Sequence, residues 1–166
     1  MSRNAVSVMC VTHNTDGKEL PLMEDLIPDP SDMEHALDFY AVCLQQVQID
    51  ALKDDPRCVP QGHPPVGCPN PLSWAWVQRY FGESYTVVSH GKQLGTELII
   101  VAHAAHVEGG RTHPSDCIEM MLSPEKMAEL SMEPPTSFVS MNGVASVVPY
   151  DHTEMFFIGL WLDGNV

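Results

Sequence analysis

Basic residues are scarce in this chain. Eight Lys plus Arg stand against 22 Asp plus Glu, a formal net charge of −14 at neutral pH. Nucleic acid and anionic membranes are themselves polyanions, so direct binding to either is disfavoured. No stretch approaches the roughly eighteen apolar residues that a membrane span needs. The segment Met1 to Cys10 lacks the apolar region of a secretory leader. A soluble protein is expected, in the cytoplasm or within an assembled particle. Five cysteines, an odd number at positions 10, 43, 58, 68 and 117, are too scattered for a disulfide framework and point to reduced thiols. Several catalytic signatures are missing: Gly-x-Ser-x-Gly, a phosphate-binding glycine loop, a dinucleotide fingerprint and His-Glu-x-x-His.

What is present is globular composition, 44% apolar and 7% aromatic over 166 residues. A chain of this size buries roughly two-thirds of its unfolded surface in one core, so residues 1–166 are expected to form one domain. The run Glu97 to Val107 organises it. Read at period two, Ile99, Val101, His103, Ala105 and Val107 share one face, and Leu98, Ile100, Ala102, Ala104 and His106 the other. Both faces are apolar, as in a strand covered on both sides. Successive Ile99, Ile100 and Val101 between flanking glycines favour a central strand over a buried helix.

Before it, Ala5 to His13 reads as a strand and Asn14 to Gly17 as a turn. Ser31-Asp-Met-Glu34 reads as a capping box, and Met33, Leu37, Tyr40, Leu44, Val47 and Ala51 follow at helical spacing. A long helix over 31–54 is therefore predicted, ending before Pro56. A proline-rich connector, 57–71, leads to a short helix from Pro71 to Phe81, stopped by Gly82. Strands are predicted at 84–90, 96–107 and 117–122, with a helix starting at Ser123 and stopping before Pro134. Residues 137–141 and 144–148 should pair across Asn142-Gly143, a favoured hairpin turn, and 153–162 should form a last strand beside 97–107 in the sheet centre. The expected class is α+β: a mostly antiparallel sheet, in the order β-α-α-β-β-β-α-β-β-β, with the long N-terminal helix packed on it.

Three constellations carry metal-binding or catalytic residue types. Cys58, His63 and Cys68, with Cys10 or His13 as a further ligand, offer a zinc-type donor set, although the spacing is not that of a zinc finger. His90, His103, His106 and His113 lie near Glu97, Glu108 and Asp116. On a strand His103 and His106 point to opposite faces, whereas His90 and His103 can meet across a hairpin. The tripeptides His13-Asn-Thr15 and His113-Pro-Ser115 are similar to the paired motifs of two-histidine phosphoesterases. Asp16, Asp116 and Pro114 depart from that pattern.

The acids are unevenly placed: residues 1–56 hold eleven, against three bases. This points to a non-enzymatic acidic interaction protein, either an assembly subunit such as a viral structural protein or an inhibitor or immunity-type protein. It would act by contact with a basic protein partner through Glu24, Asp25, Asp29, Asp32 and Asp38, as an oligomer or in a larger complex. The alternative is a zinc-dependent hydrolase using His90, His103, His113 and Asp116. No cofactor other than zinc is expected.

Overall fold

Strand β4, Thr96–His103, is buried from Thr96 to Ala102 and has a hydrogen-bonded neighbour on each side. In this computed structural model, which describes residues 5–32, 36–122, 128–129 and 140–163, it runs antiparallel to β2, Phe39–Gln45, and to β3, Tyr85–Gln93. Strand β1, Val8–Asn14, adds to β2 in parallel, giving the order β1-β2-β4-β3. A second sheet, β5-β6-β7, is an antiparallel meander of Cys117–Leu122, Ser140–Tyr150 and Thr153–Asp163.

The two faces of the first sheet make two cores. On one, Tyr40, Val42, Leu44, Ile99 and Val101 lie under helix α2, Pro71–Phe81, and under Leu20, Met23, Ile27 and Leu52. On the other, Phe39, Ala41, Leu98, Ile100 and Ala102 meet Val144, Val148, Tyr150 and Phe157 of the second sheet. Burial of each large apolar side chain contributes about 1.5–3 kcal/mol, so these interfaces hold the layers together. The outer face of the second sheet leaves Ile118, Phe156, Ile158 and Leu160 exposed.

The architecture is mostly sheet, not α+β with a long helix. The long helix expected over 31–54 does not form: the described residues there hold a turn, β2, and the single-turn helix α1, Ile49–Leu52. Residues 39–44 are buried on both faces, so nearly every position is apolar and a spacing of three and four finds matches by coincidence. Ser31 bonds Asp29 instead of opening a helix, and Glu34 lies outside the described residues. The strand expected over 97–107 ends at His103, where the chain turns into α3, Ala104–Glu108.

The Asn142-Gly143 hairpin is also corrected. Both residues lie within β6, paired to Met121 and Met120 on one side and to Trp161 and Leu160 on the other. Strands on both sides take up the hydrogen bonds that a turn would need, and the reversal falls at Asp151 and His152, with Asp151 at φ 52°. Strand β7 forms where expected but at the edge of the second sheet, not in the centre of the first. The helix expected from Ser123 lies outside the described residues except for Ala128 and Glu129.

Candidate functional site

Glu97 is the one fully buried carboxylate among the described residues. An isolated buried charge costs several kcal/mol, so the surroundings of Glu97 are informative. The fold places α2 over it. Asn70 caps that helix, its Oδ1 accepting from Leu72 N at 3.2 Å, while its Nδ2 donates to Glu97 Oε1 at 2.6 Å. Ser73, within the first turn, donates its hydroxyl to Glu97 Oε2. Directly across the β3–β4 ladder, Lys92 Nζ lies 3.1 Å from Oε1. Burial opposes ionisation of Glu97. The hydrogen bonds from His90, Ser73 and Asn70, together with the Lys92 charge, outweigh it and hold the carboxyl below its ordinary range.

His90 reaches this carboxylate because of a β-bulge between Val87 and Ser89. Without it, residues 87 and 90 would face opposite sides of the sheet. With it, Val87 joins the core under α2, and His90 also turns to that side, its Nε2 3.4 Å from Glu97 Oε2. Nδ1 on the other side of the ring is 3.5 Å from Cys68 Sγ. Cys68 precedes the α2 cap by two residues. Burial pushes its thiol up, while the Asn70 backbone amide, bonded to the sulfur, pulls the other way. The half-buried Cys68 and His90 open on a cavity of about 260 Å³ that Trp74, Val88, Asp116 and Cys117 also line.

A second site lies where the parallel pair β1 and β2 ends. Thr15 ties the two ends together: its amide donates to Gln45 O at 2.9 Å, and its buried hydroxyl lies 3.0 Å from Gln45 O and 2.8 Å from Gln46 O. Beyond this tie Asp16 and Gln46 take positive φ, 52° and 55°. The Asp16 turn is closed by Asn14 Oδ1, which accepts from Asp16 N at 2.9 Å. A Cβ on Gly17 would come within 2.9 Å of Gln48 Nε2, so the glycine leaves room for the Gln48 side chain to lie across the turn. Asp16, Gly17, Gln46, Gln48 and Gly95 line an open cleft of about 560 Å³. Hydrogen bonding to Lys18, at 2.9 Å, holds the Asp16 carboxyl below its usual range.

Of the sequence-derived constellations, His90 and Glu97 do meet, while the other members are dispersed. Cys58 is buried in the core under α2, where desolvation pushes its thiol to about 12. His63 is exposed, and Cys68 belongs with His90. His103 caps α3 and packs edge-on against Tyr85, pairing across the ladder at the far end of β3 from His90. His106 bonds Asp38 at 2.6 Å, while His113 and Asp116 are exposed. Among the described residues no three His, Cys, Asp or Glu side chains converge as a metal-binding group. Asn70, Ser73 and Lys92 belong to no sequence-derived constellation. The Asn-Pro pair at 70–71, a cap followed by a favoured first helical residue, is the signal that would have flagged Asn70.

No family model and no curated protein sequence matches the chain. Solved structures do resemble it. The inositol polyphosphate 5-phosphatase domain of SPsynaptojanin, in complex with inositol (1,4)-bisphosphate and calcium ion, aligns with 92% of this chain and 39% of its own, at a TM-score of 0.55 and 17% identity. Cimex nitrophorin in its ferrous NO complex aligns with 92% of this chain and 45% of its own, at 0.54 and 15%. A nitrophorin variant gives 0.59 and 15%, over 97% and 48%. This chain thus spans less than half the length of each, and the likeness is one of fold.

The architecture shared with a phosphatase domain and with nitrophorin runs against the expectation of a non-enzymatic acidic interaction protein, and the zinc-hydrolase alternative loses its basis because His90, His103, His113 and Asp116 do not converge among the described residues. The long helix expected to carry Asp32 and Asp38 is replaced by strand over Phe39–Gln45. Glu24 and Asp25 are exposed on a 3-10 turn, Met23–Asp25, and Asp29 and Asp32 are exposed on the chain between it and β2, while Asp38 is half-buried and bonded to Ser7 and His106. Asp50 pairs with Lys53 and Asp55 with Arg57.

Proposed function

We propose that this chain binds a phosphate ester of the inositol phosphate class, through a divalent cation, in the cleft where β1 and β2 end. One observation carries the reading. Parallel pairing of β1 and β2 brings the turn after Asn14 and the segment 46–48 to one opening, on a fold shared with a phosphatase domain that holds an inositol bisphosphate and calcium. Ligands of open sheets with parallel strands gather beyond the carboxyl ends of the strands. The amide groups of Gln46 and Gln48 suit phosphate and hydroxyl oxygens as donors.

A chain of net charge −14 repels a bare polyanion, so a bridging cation is needed to hold one. Asp16 supplies a carboxylate, and the side-chain amides supply further hard oxygen donors. One carboxylate is too few for an all-protein calcium cage. An ion of the magnesium type, held by one or two carboxylates and by the phosphates of its ligand, fits such a donor set.

Titration calorimetry with inositol (1,4)-bisphosphate, with and without magnesium or calcium, tests the reading. Binding should require the cation, and Asp16→Asn should weaken it about tenfold, as loss of a charge-assisted contact does. Absence of cation-dependent binding, or an affinity indifferent to Asp16→Asn, would reject it.

A further inference from the structure

We infer that Cys68, His90 and Glu97 form a nucleophile, base and orienting carboxylate for acyl transfer from small uncharged esters, at a site separate from the cleft at the β1 and β2 ends. The three groups stand in the order such chemistry needs: sulfur to Nδ1 at 3.5 Å, then Nε2 to carboxylate at 3.4 Å. Glu97 is ionised and so accepts only, so a ring carrying one proton holds it on Nε2 towards the carboxylate and leaves Nδ1 to take the proton of the thiol. Asn70 and Ser73 fix the carboxylate in turn. The thiol stands beside the first turn of an eleven-residue helix and is bonded by the Asn70 amide; burial nevertheless holds its pKa above the ordinary thiol value, so attack requires His90 to take its proton. The cavity beside the sulfur is a second, independent feature, because a buried ion-pair network of purely structural use requires no opening onto solvent.

Cavity size and charge set the substrate class. About 260 Å³ is below the volume that drug-sized ligands occupy, so a short acyl group fits. Trp74 and Val88 give it apolar walls, and Asp116 at the opening repels a substrate carboxylate. In the first step Cys68 Sγ passes its proton to His90 Nδ1 and attacks the acyl carbon. The C–S bond forms, the ester C–O bond breaks, and His90 gives the proton to the departing alkoxide, releasing an alcohol. Water then attacks the thioester, and His90 takes its proton. The C–S bond breaks, a carboxylic acid leaves, and the proton returns to sulfur. Cys68 and His90 are the catalytic residues; Glu97 is a positioning residue that acts through the histidine.

The test uses the chain carrying Cys10→Ser, which removes the exposed thiol, and p-nitrophenyl acetate as probe. The expected result is a stoichiometric burst of p-nitrophenol with one acetyl group on Cys68 by peptide mass spectrometry. Cys68→Ser, close in size to the native residue, should abolish both while leaving the circular dichroism spectrum unchanged. His90→Gln should slow acylation by about 100-fold or more. It should also move the pH dependence of Cys68 alkylation by iodoacetamide to that of an unassisted thiol. A burst that survives Cys68→Ser, acetylation elsewhere, no burst at all, or an alkylation profile unaltered by His90→Gln would each overturn the proposal.

Discussion

His106 Nε2 lies 2.6 Å from Asp38 Oδ1, across 68 residues of sequence. The other oxygen of that carboxylate accepts from Ser7 N and Ser7 Oγ, each at 2.7 Å. One side chain thereby joins the starts of β1 and β2 to helix α3. Burial opposes ionisation of Asp38, but the Ser7 and His106 bonds outweigh it and lower its pKa from 3.8. A depressed carboxyl contributes stability that is complete above its unfolded pKa and lost as pH falls through the folded one. Asp38→Ala should cost about 1–2 kcal/mol in urea denaturation at pH 7. As pH falls below 3.8 and through the folded value beneath it, the gap between variant and parent should shrink.

Glu97 obeys the same sign with larger stakes. Its carboxyl is held below 4.5, so its contribution is complete above about pH 4.5 and vanishes in stronger acid. Glu97→Gln presents an amide N–H₂ to donors and leaves Lys92 without its counter-charge. A loss of about 3 kcal/mol or more is expected, as for breaking a buried pair. Chemical denaturation at pH 7 measures it. A cost under 1 kcal/mol would contradict the network described.

Gly91 sets how closely the two sheets approach. A Cβ there would lie 2.3 Å from the Cβ of Cys117 and 2.4 Å from Val144 Cγ1, neither a flexible end. Gly91→Ala should therefore destabilise by about 3 kcal/mol or prevent folding. Gly62, with nothing within 4 Å of an added Cβ, is the control: Gly62→Ala should fall within about 0.5 kcal/mol of the parent. Thermal melts of the pair decide the matter.

Val42 separates the strand from the helix that the sequence suggests. On a helix over 31–54 it would share the outer face with Asp38 and Gln45, and Val42→Lys would be tolerated. In β2 it is fully buried between Tyr40 and Leu44 on the face under α2. Burying an unpaired ammonium there should unfold the chain, seen as loss of the cooperative melt. A folded, stable Val42→Lys protein would restore the helix.

By itself the sequence determined the elements whose signals are local. Helix α2 runs over the residues expected, because Pro71 and Gly82 act on the backbone wherever the helix packs. Buried β4 was legible because β-branched residues in succession, apolar on both faces, need cover from two layers. Those layers were also what hid β2: a strand apolar on both faces has no alternation, and its pattern fits a helix as well as a strand. Asn142-Gly143 has turn chemistry, yet neighbours on both sides draw it into β6. The Cys68, His90 and Glu97 cluster was equally a matter of tertiary structure. Each residue is visible as a chemical type, and His90 and Glu97 share one sequence constellation, but spacing groups Cys68 with Cys58 and pairs His90 with His103. One bulge changes the parity of β3 and turns His90 onto the Glu97 face, where the cap of α2 brings Cys68, and no local pattern in the sequence encodes that meeting.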